Sequence, residues 1–171
     1  MRYKNYILIY LLSSICVCSA ANNDERGIEC FTHPLIACDI PISVYTAPYV
    51  YEKQMSRDRS EEAGWIVYAE EVYKDFIKIR FENDSVRWVH IGDVGVVVQN
   101  YFDFGIPVYM RPDNTAPKIT YIYESQMALL TNFTDKYACV VLVGIEDAIY
   151  GWVERKYLCG SPYTTCPDIG N

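Results

Sequence analysis

The residues able to do chemistry in this chain are few and uneven: seven Cys, two His, 22 acidic side chains and 16 Tyr. A nucleophilic thiol needs a base or a cation beside it, and only His33 and His90 are available. His33 lies between Cys30 and Cys38. His90 follows Trp88-Val89 in a strand-like run, so Cys139 with His90 is the one cysteine-peptidase pairing open. Cys139 itself sits in the apolar run 138–143, with no cationic neighbour to ionise it. The acid pairs Glu61-Glu62, Glu70-Glu71 and Glu146-Asp147 fall in loop-like stretches, where carboxylates form solvated surface rather than a glycosidase's acid and base. No CxxC spacing or His cluster offers a metal site, no glycine-rich loop cradles phosphate, and no cofactor is expected. The expectation is a non-enzyme.

Tyrosine is the more informative residue type. Tyr45, Tyr49 and Tyr51 cluster in one short stretch, and Tyr109 stands in a matching one. Aromatic faces suit sugar rings and peptide side chains, and a Tyr hydroxyl adds a hydrogen bond. With Trp88, Trp152 and Arg111 these are the candidate ligand residues. Each of Tyr45, Tyr109, Trp88 and Trp152 has a packing alternative. Tyr49 and Tyr51, followed by Glu52-Lys53, have the least reason to be buried.

The elements that must position these residues begin after residue 20. Arg2 and Lys4 precede an uncharged, mostly apolar run from Tyr6 to Val17, and Cys18-Ser19-Ala20 offers small residues for cleavage. This is the layout of a secretory signal peptide. Acylation of Cys16 or Cys18 is the alternative, giving a lipid-anchored form. Cleavage after Ala20 leaves 151 residues, with 13 basic against 22 acidic side chains, a formal charge of −9. That balance argues against nucleic acid, which needs a basic face. The expected location is periplasmic or extracellular, with no membrane span after cleavage. An oxidising compartment favours disulfides. Cys30, Cys38, Cys159 and Cys166 are the expected bridging residues, paired locally or across the two ends, and Cys139 is the expected free thiol.

Sliding the chain against itself reveals an internal repeat at an offset of 64. Ile42, Val44, Tyr45 and Pro48 fall on Ile106, Val108, Tyr109 and Pro112; Trp88-Val89 falls on Trp152-Val153. Without gaps, Tyr73 also falls on Tyr137, Glu82 on Glu146, and the run 76–79 on 140–143. Two copies follow, about 40–100 and 104–160, between a Cys-containing segment (21–39) and a tail (161–171). Alternation such as Ile77-Lys78-Ile79-Arg80-Phe81, with Asn83-Asp84-Ser85 as a turn, predicts short strands throughout. Five or so strands in about 60 residues predict a small bent barrel for each copy, an all-β chain.

The opening Val108-Tyr109-Met110-Arg111-Pro112-Asp113 and the closing Gly151-Trp152-Val153 with Tyr157-Leu158 resemble the bacterial Src-homology-3-like (SH3b) domains. The first copy is more degenerate: Val44-Tyr45-Thr46-Ala47-Pro48 lacks the arginine and Arg87-Trp88-Val89 lacks the glycine. The resemblance implies tandem SH3-like barrels and a non-catalytic attachment module, its ligand groove beside the loop after the opening strand. It further implies a cell-wall peptide or glycan as ligand. The expected partner is therefore peptidoglycan or an extracytoplasmic protein. An acidic inhibitor or immunity-type protein that blocks a basic partner is the first alternative, and a cysteine peptidase the second.

Overall fold

The computed structural model of the chain describes residues 27–32, 41–56, 65–101, 104–143 and 148–159. The expected signal peptide, His33, Cys38, Cys166, the acid pairs Glu61-Glu62 and Glu146-Asp147, and the tail 161–171 lie outside these residues. The described residues form an all-β fold in chain order: β1 (Ile28–Thr32), β2 (Ile42–Ala47), β3 (Val50–Met55), β4 (Ile66–Tyr73), β5 (Phe76–Phe81), β6 (Val86–His90), β7 (Val94–Val98), β8 (Ile106–Tyr109), β9 (Lys118–Ile122), β10 (Gln126–Phe133), β11 (Tyr137–Val143), β12 (Ala148–Glu154) and β13 (Leu158–Cys159). Single 3-10 turns, Ile91–Asp93 and Arg155–Tyr157, precede β7 and β13. Among the described residues no helix is long and apolar enough to cross a membrane.

All pairings are antiparallel and follow one path, β3-β2-β6-β5-β4-β1-β7-β10-β11-β12-β8-β9, with β13 on β7. The path reads the same inward from either end, because the second copy retraces the first. Tyr45 pairs with Trp88, and Tyr109 with Trp152, the same pair 64 residues on. Cys30 faces Val67 as Val96 faces Ala128, so β1 holds beside β4 the place that β7 holds beside β10. Phe31 pairs with Gly95 as Val97 pairs with Cys159. The strand β7 thus closes the first copy and opens the second.

This double use explains the composition of β7. A strand covered on both faces loses the in–out alternation and reads as a continuous apolar run. Val94-Gly95-Val96-Val97-Val98 is buried at every position. Each buried Val contributes about 1.5–3 kcal/mol relative to exposure. One core cluster runs from Ile28 and Val44 of the first copy through Val96 to Leu130 and Val153 of the second. The two copies share a ladder and a core.

Two sequence-based expectations change here. The segment 21–39 contains β1, whose residues Ile28 and Cys30 point into that core. Cys30, expected in a disulfide, is a free thiol with no exposed surface. Its Sγ donates to the Ile28 carbonyl at 3.3 Å, and burial pushes its pKa far above the usual thiol value. On the inward face of a central strand it packs in the core as a small hydrophobe. Cys139, half-buried on β11, is also a thiol, and Cys159 is disulfide-bonded.

The second change is the repeat's register. Phe76 pairs with His90 as Tyr137 pairs with Glu154, and Lys78 with Trp88 as Cys139 with Trp152. The β4–β5 and β10–β11 hairpins therefore match at an offset of 61. Each carries a register shift at the same place, between Ala69 and Glu71 and between Leu130 and Asn132. The ungapped matches of Tyr73 with Tyr137 and of 76–79 with 140–143 are three residues out of step. Copy two is shorter before this hairpin and longer after it, so the two differences cancel by Trp152.

Gly151, present only in the second copy's closing motif, marks a close approach of β8 to β12. A β-carbon there would run into the Val108 side chain and lie 3.2 Å from the Tyr109 carbonyl oxygen. Gly151→Ala is expected to destabilise the fold by about 1–3 kcal/mol, as overpacking does, measured by urea unfolding. Native protein should leave Cys30 unmodified by iodoacetamide at pH 8 and yield it only in denaturant; mass mapping checks this.

Candidate functional site

The conserved geometry of the repeat makes its two versions of one site directly comparable. In the first copy, Tyr45 of β2 packs edge-on against Phe76 of β5, ring centroids 5.0 Å apart. The Tyr45 hydroxyl and His90 Nε2 share a hydrogen bond of 3.0 Å, and the His90 ring lies 4.5 Å from Phe76. Trp88, half-buried, pairs with Tyr45 across the ladder. The matching residues of the second copy are Tyr109, Tyr137, Glu154 and Trp152. Tyr109 and Tyr137 again meet edge-on, at 6.2 Å.

What covers this aromatic pair differs between the copies, and turn length is the reason. The loop 110–117 between β8 and β9 folds back on itself. Met110 donates its backbone N–H to the Pro117 carbonyl at 3.0 Å, and Ala116 to that of Asp113 at 3.0 Å. The Asp113 carboxylate accepts from the Thr115 amide and hydroxyl, both at 2.8 Å. These two bonds hold its pKa below the usual carboxylate range. The loop so fixed buries Ala116 against Tyr109, Tyr137 and Trp152. Tyr109 and Trp152 retain 5% and 6% exposure. Burial, reinforced by Glu154, holds the Tyr109 and Tyr137 hydroxyls above their usual pKa.

The first copy has only the turn Pro48-Tyr49 at this place. Its cover is made of tyrosines. Tyr49 packs edge-on over Phe76 at 4.9 Å and Tyr51 over Tyr45 at 5.9 Å, leaving them 60% and 56% exposed. Phe76 beneath is 1% exposed. The next hairpin adds Tyr73, also exposed, and Lys74, whose Nζ sits 5.8 Å over the Tyr49 ring and 5.4 Å over that of Tyr73. Tyr49 and Lys74 have positive φ, 67° and 52°. That left-handed region disfavours any residue with a β-carbon, by about 1–2 kcal/mol. Two strained, bulky residues therefore meet at one exposed surface, and such strain gathers at functional sites.

Of the sequence-based candidates, the structure brings Tyr45, Tyr49 and Tyr51 together and places Trp88 on the strand beside Tyr45. Tyr109 and Trp152 take their packing alternative, shut in by the 110–117 loop. Arg111 is exposed on that loop. His90 and Cys139 belong to different copies' clusters. His90 is bonded to Tyr45, and Cys139 packs on the Tyr109 group. Sequence reading missed Tyr73, Lys74 and Phe76. A turn at Lys74-Asp75 between two apolar alternations was the available signal, but their meeting with Tyr49 depends on strand pairing. A second exposed aromatic pair, Tyr121 and Tyr123, stands at β9 with Lys118 Nζ 5.4 Å from the Tyr121 ring.

No protein-family model matches the chain, and no curated protein does. Among solved structures it is similar to NlpC1 from Trichomonas vaginalis, with a TM-score of 0.32 and 13% identity over 85% of this chain and 49% of that one. It is also similar to NlpC2 from the same organism, with a TM-score of 0.30 and 11% identity over 81% and 49%. The chain spans about half the length of these proteins. Function has to be read from the chain's own surface.

Trp152→Ala is expected to lower stability by about 3–5 kcal/mol, and Tyr51→Ala to change it by no more than about 0.5 kcal/mol. Denaturant unfolding of the two variants tests the assignment of one to packing and the other to display.

Proposed function

We propose that the chain is an exported, non-catalytic binding protein built of two SH3-like units, which attaches to peptidoglycan through the first copy. One observation carries the reading: Tyr49 and Tyr51 stand more than half exposed over an aromatic base of buried Phe76 and half-buried Tyr45. Water solvates a large ring poorly, so rings held in this way offer stacking area for a sugar face or a peptide side chain. The base is rigid. Tyr45 is fixed by its backbone pairing to Trp88 and its bond to His90, and Phe76 lies in the ladder between β4 and β6. The ion pair of Arg87 on β6 with Glu52 on β3 ties the edge strand carrying Tyr51 to the same platform. Displayed rings that are already positioned lose little entropy on binding.

The resemblance of the closing and opening motifs to wall-attachment domains points to the same ligand class, and a signal peptide would deliver the chain to it. Metal chemistry plays no part in the proposal.

Incubation of the purified mature protein with insoluble peptidoglycan should sediment it with the polymer. Tyr49→Ala and Tyr51→Ala should each lower retention by about tenfold, in line with about 1–3 kcal/mol per stacked ring. A protein that stays in the supernatant and instead recovers a single tight protein partner overturns the wall reading in favour of the inhibitor.

A further inference from the structure

We propose that Lys74 makes the first-copy shelf a site for a carboxylate-bearing peptide arm of the wall polymer, with the second copy's equivalent site closed by its own loop. The inference rests on the wall reading and gives its ligand a charge and its site a copy. The chain is acidic overall, net −7, which disfavours a polymer carrying carboxylates unless a cation is locally offered. Lys74 offers one. Its ammonium is held over two exposed rings and meets no carboxylate at ion-pair distance among the described residues. Two of the flanking acids are engaged elsewhere: Glu70 pairs with Arg80 at 2.8 Å and Glu71 with Lys78 at 3.7 Å. Asp75, next in the turn, is exposed and accepts from the Ile91 N–H through its backbone carbonyl, and its carboxylate makes no ion pair with Lys74.

A ring face beside a positioned ammonium matches a ligand with an apolar or sugar face next to an anion. The left-handed backbone of Lys74 has the same sense. Glycine is the residue that turn would favour, and a lysine there costs stability while placing a charge over Tyr49 and Tyr73. In the second copy the position of His90 is taken by Glu154, whose carboxylate is bound by Lys156 at 2.8 Å. Ala116 fills the place of the displayed tyrosines there. Among the described residues, no exposed ring stands over that aromatic pair, and the exposed Arg111 lies on the loop that closes it.

The test is calorimetric titration of the mature protein with a soluble peptidoglycan fragment, its carboxylates free or amidated, alongside sedimentation with the insoluble polymer. Lys74→Gln should weaken binding of the free-carboxylate fragment about fivefold to tenfold, and Lys74→Arg should retain it. The amidated fragment should bind wild type and Lys74→Gln alike, the coupling expected when two groups meet directly. Tyr121→Ala with Tyr123→Ala should leave affinity unchanged. Equal binding of the free-carboxylate fragment by wild type and Lys74→Gln, or loss of binding in the Tyr121/Tyr123 variant alone, overturns this inference while the wall reading stands on sedimentation. Failure of the wild-type protein to sediment overturns both.

Discussion

The strand β7 is the constraint on which the rest of the structure depends. Its residues hydrogen-bond to β1, β10 and β13, so the edge that completes one copy is the edge that starts the next. Both of its faces are also packed, Val94, Val96 and Val98 in the main core and Val97 against Cys159 and Met127. This is why Val94-Gly95-Val96-Val97-Val98 carries no polar residue and why the core runs unbroken through both copies. Two beads on a string could melt one at a time, whereas two units sharing a buried strand lose their common ladder together. The first copy needs a strand in the same place. β1 supplies it, and Cys30 there occupies the inward position that Val96 occupies on β7, a small hydrophobe in place of a small hydrophobe.

From that shared frame the aromatic base of each copy is fixed, and the difference between them reduces to a turn. The ladder places Tyr45 beside Trp88 and Tyr109 beside Trp152, each Tyr with an aromatic ring of the next hairpin at its edge. In the second copy the chain continues past β8 into a loop long enough to return a methyl group to the cluster and exclude water. In the first it reverses at Pro48-Tyr49, too short to return anything. Among the described residues, the side chains that cover Phe76 and Tyr45 there are those of the turn and of β3, with His90 beside them. Large rings reach and small ones do not, so the cover is aromatic and its outer faces remain in water.

The legible and illegible parts of the sequence divide along the same physical lines. The V-Y-x-x-P and W-V matches stood out because both belong to one cross-strand contact, which tolerates little change in either copy. The hairpin between them was matched three residues out of step because a shortening on one side and a lengthening on the other cancel, and an ungapped comparison cannot see two opposite errors. Alternation predicted the strands well where one face is wet, as in Ile77 to Phe81. The apolar run of β7 suits a strand, but its double use was hidden, since burial on both faces looks alike whatever covers it. Cys30 was misassigned because the residue type serves equally as a bridge and as core filling. Tyr45 and Tyr109, identical in type and each paired with a Trp, differ in exposure chiefly through the residues that follow at 48–51 and 110–117.

Sharing β7 also shapes where a ligand surface can arise. Positions near the common strand are packed from both sides, and a change there disturbs two units at once. The ends of the path are free of that coupling: among the described residues β3 at one end and β9 at the other each have a single partner strand. Both ends display tyrosines with a lysine over a ring, but only the first combines that display with left-handed backbone at two non-glycine residues. Strain of that kind is lost readily by substitution to glycine, and packing at Tyr49 does not require it, because a ring more than half in water contributes modest burial. A strained turn that presents rings and an ammonium outward, on a platform made rigid by the shared core beneath it, is the arrangement expected of a surface shaped for contact with another molecule rather than for stability.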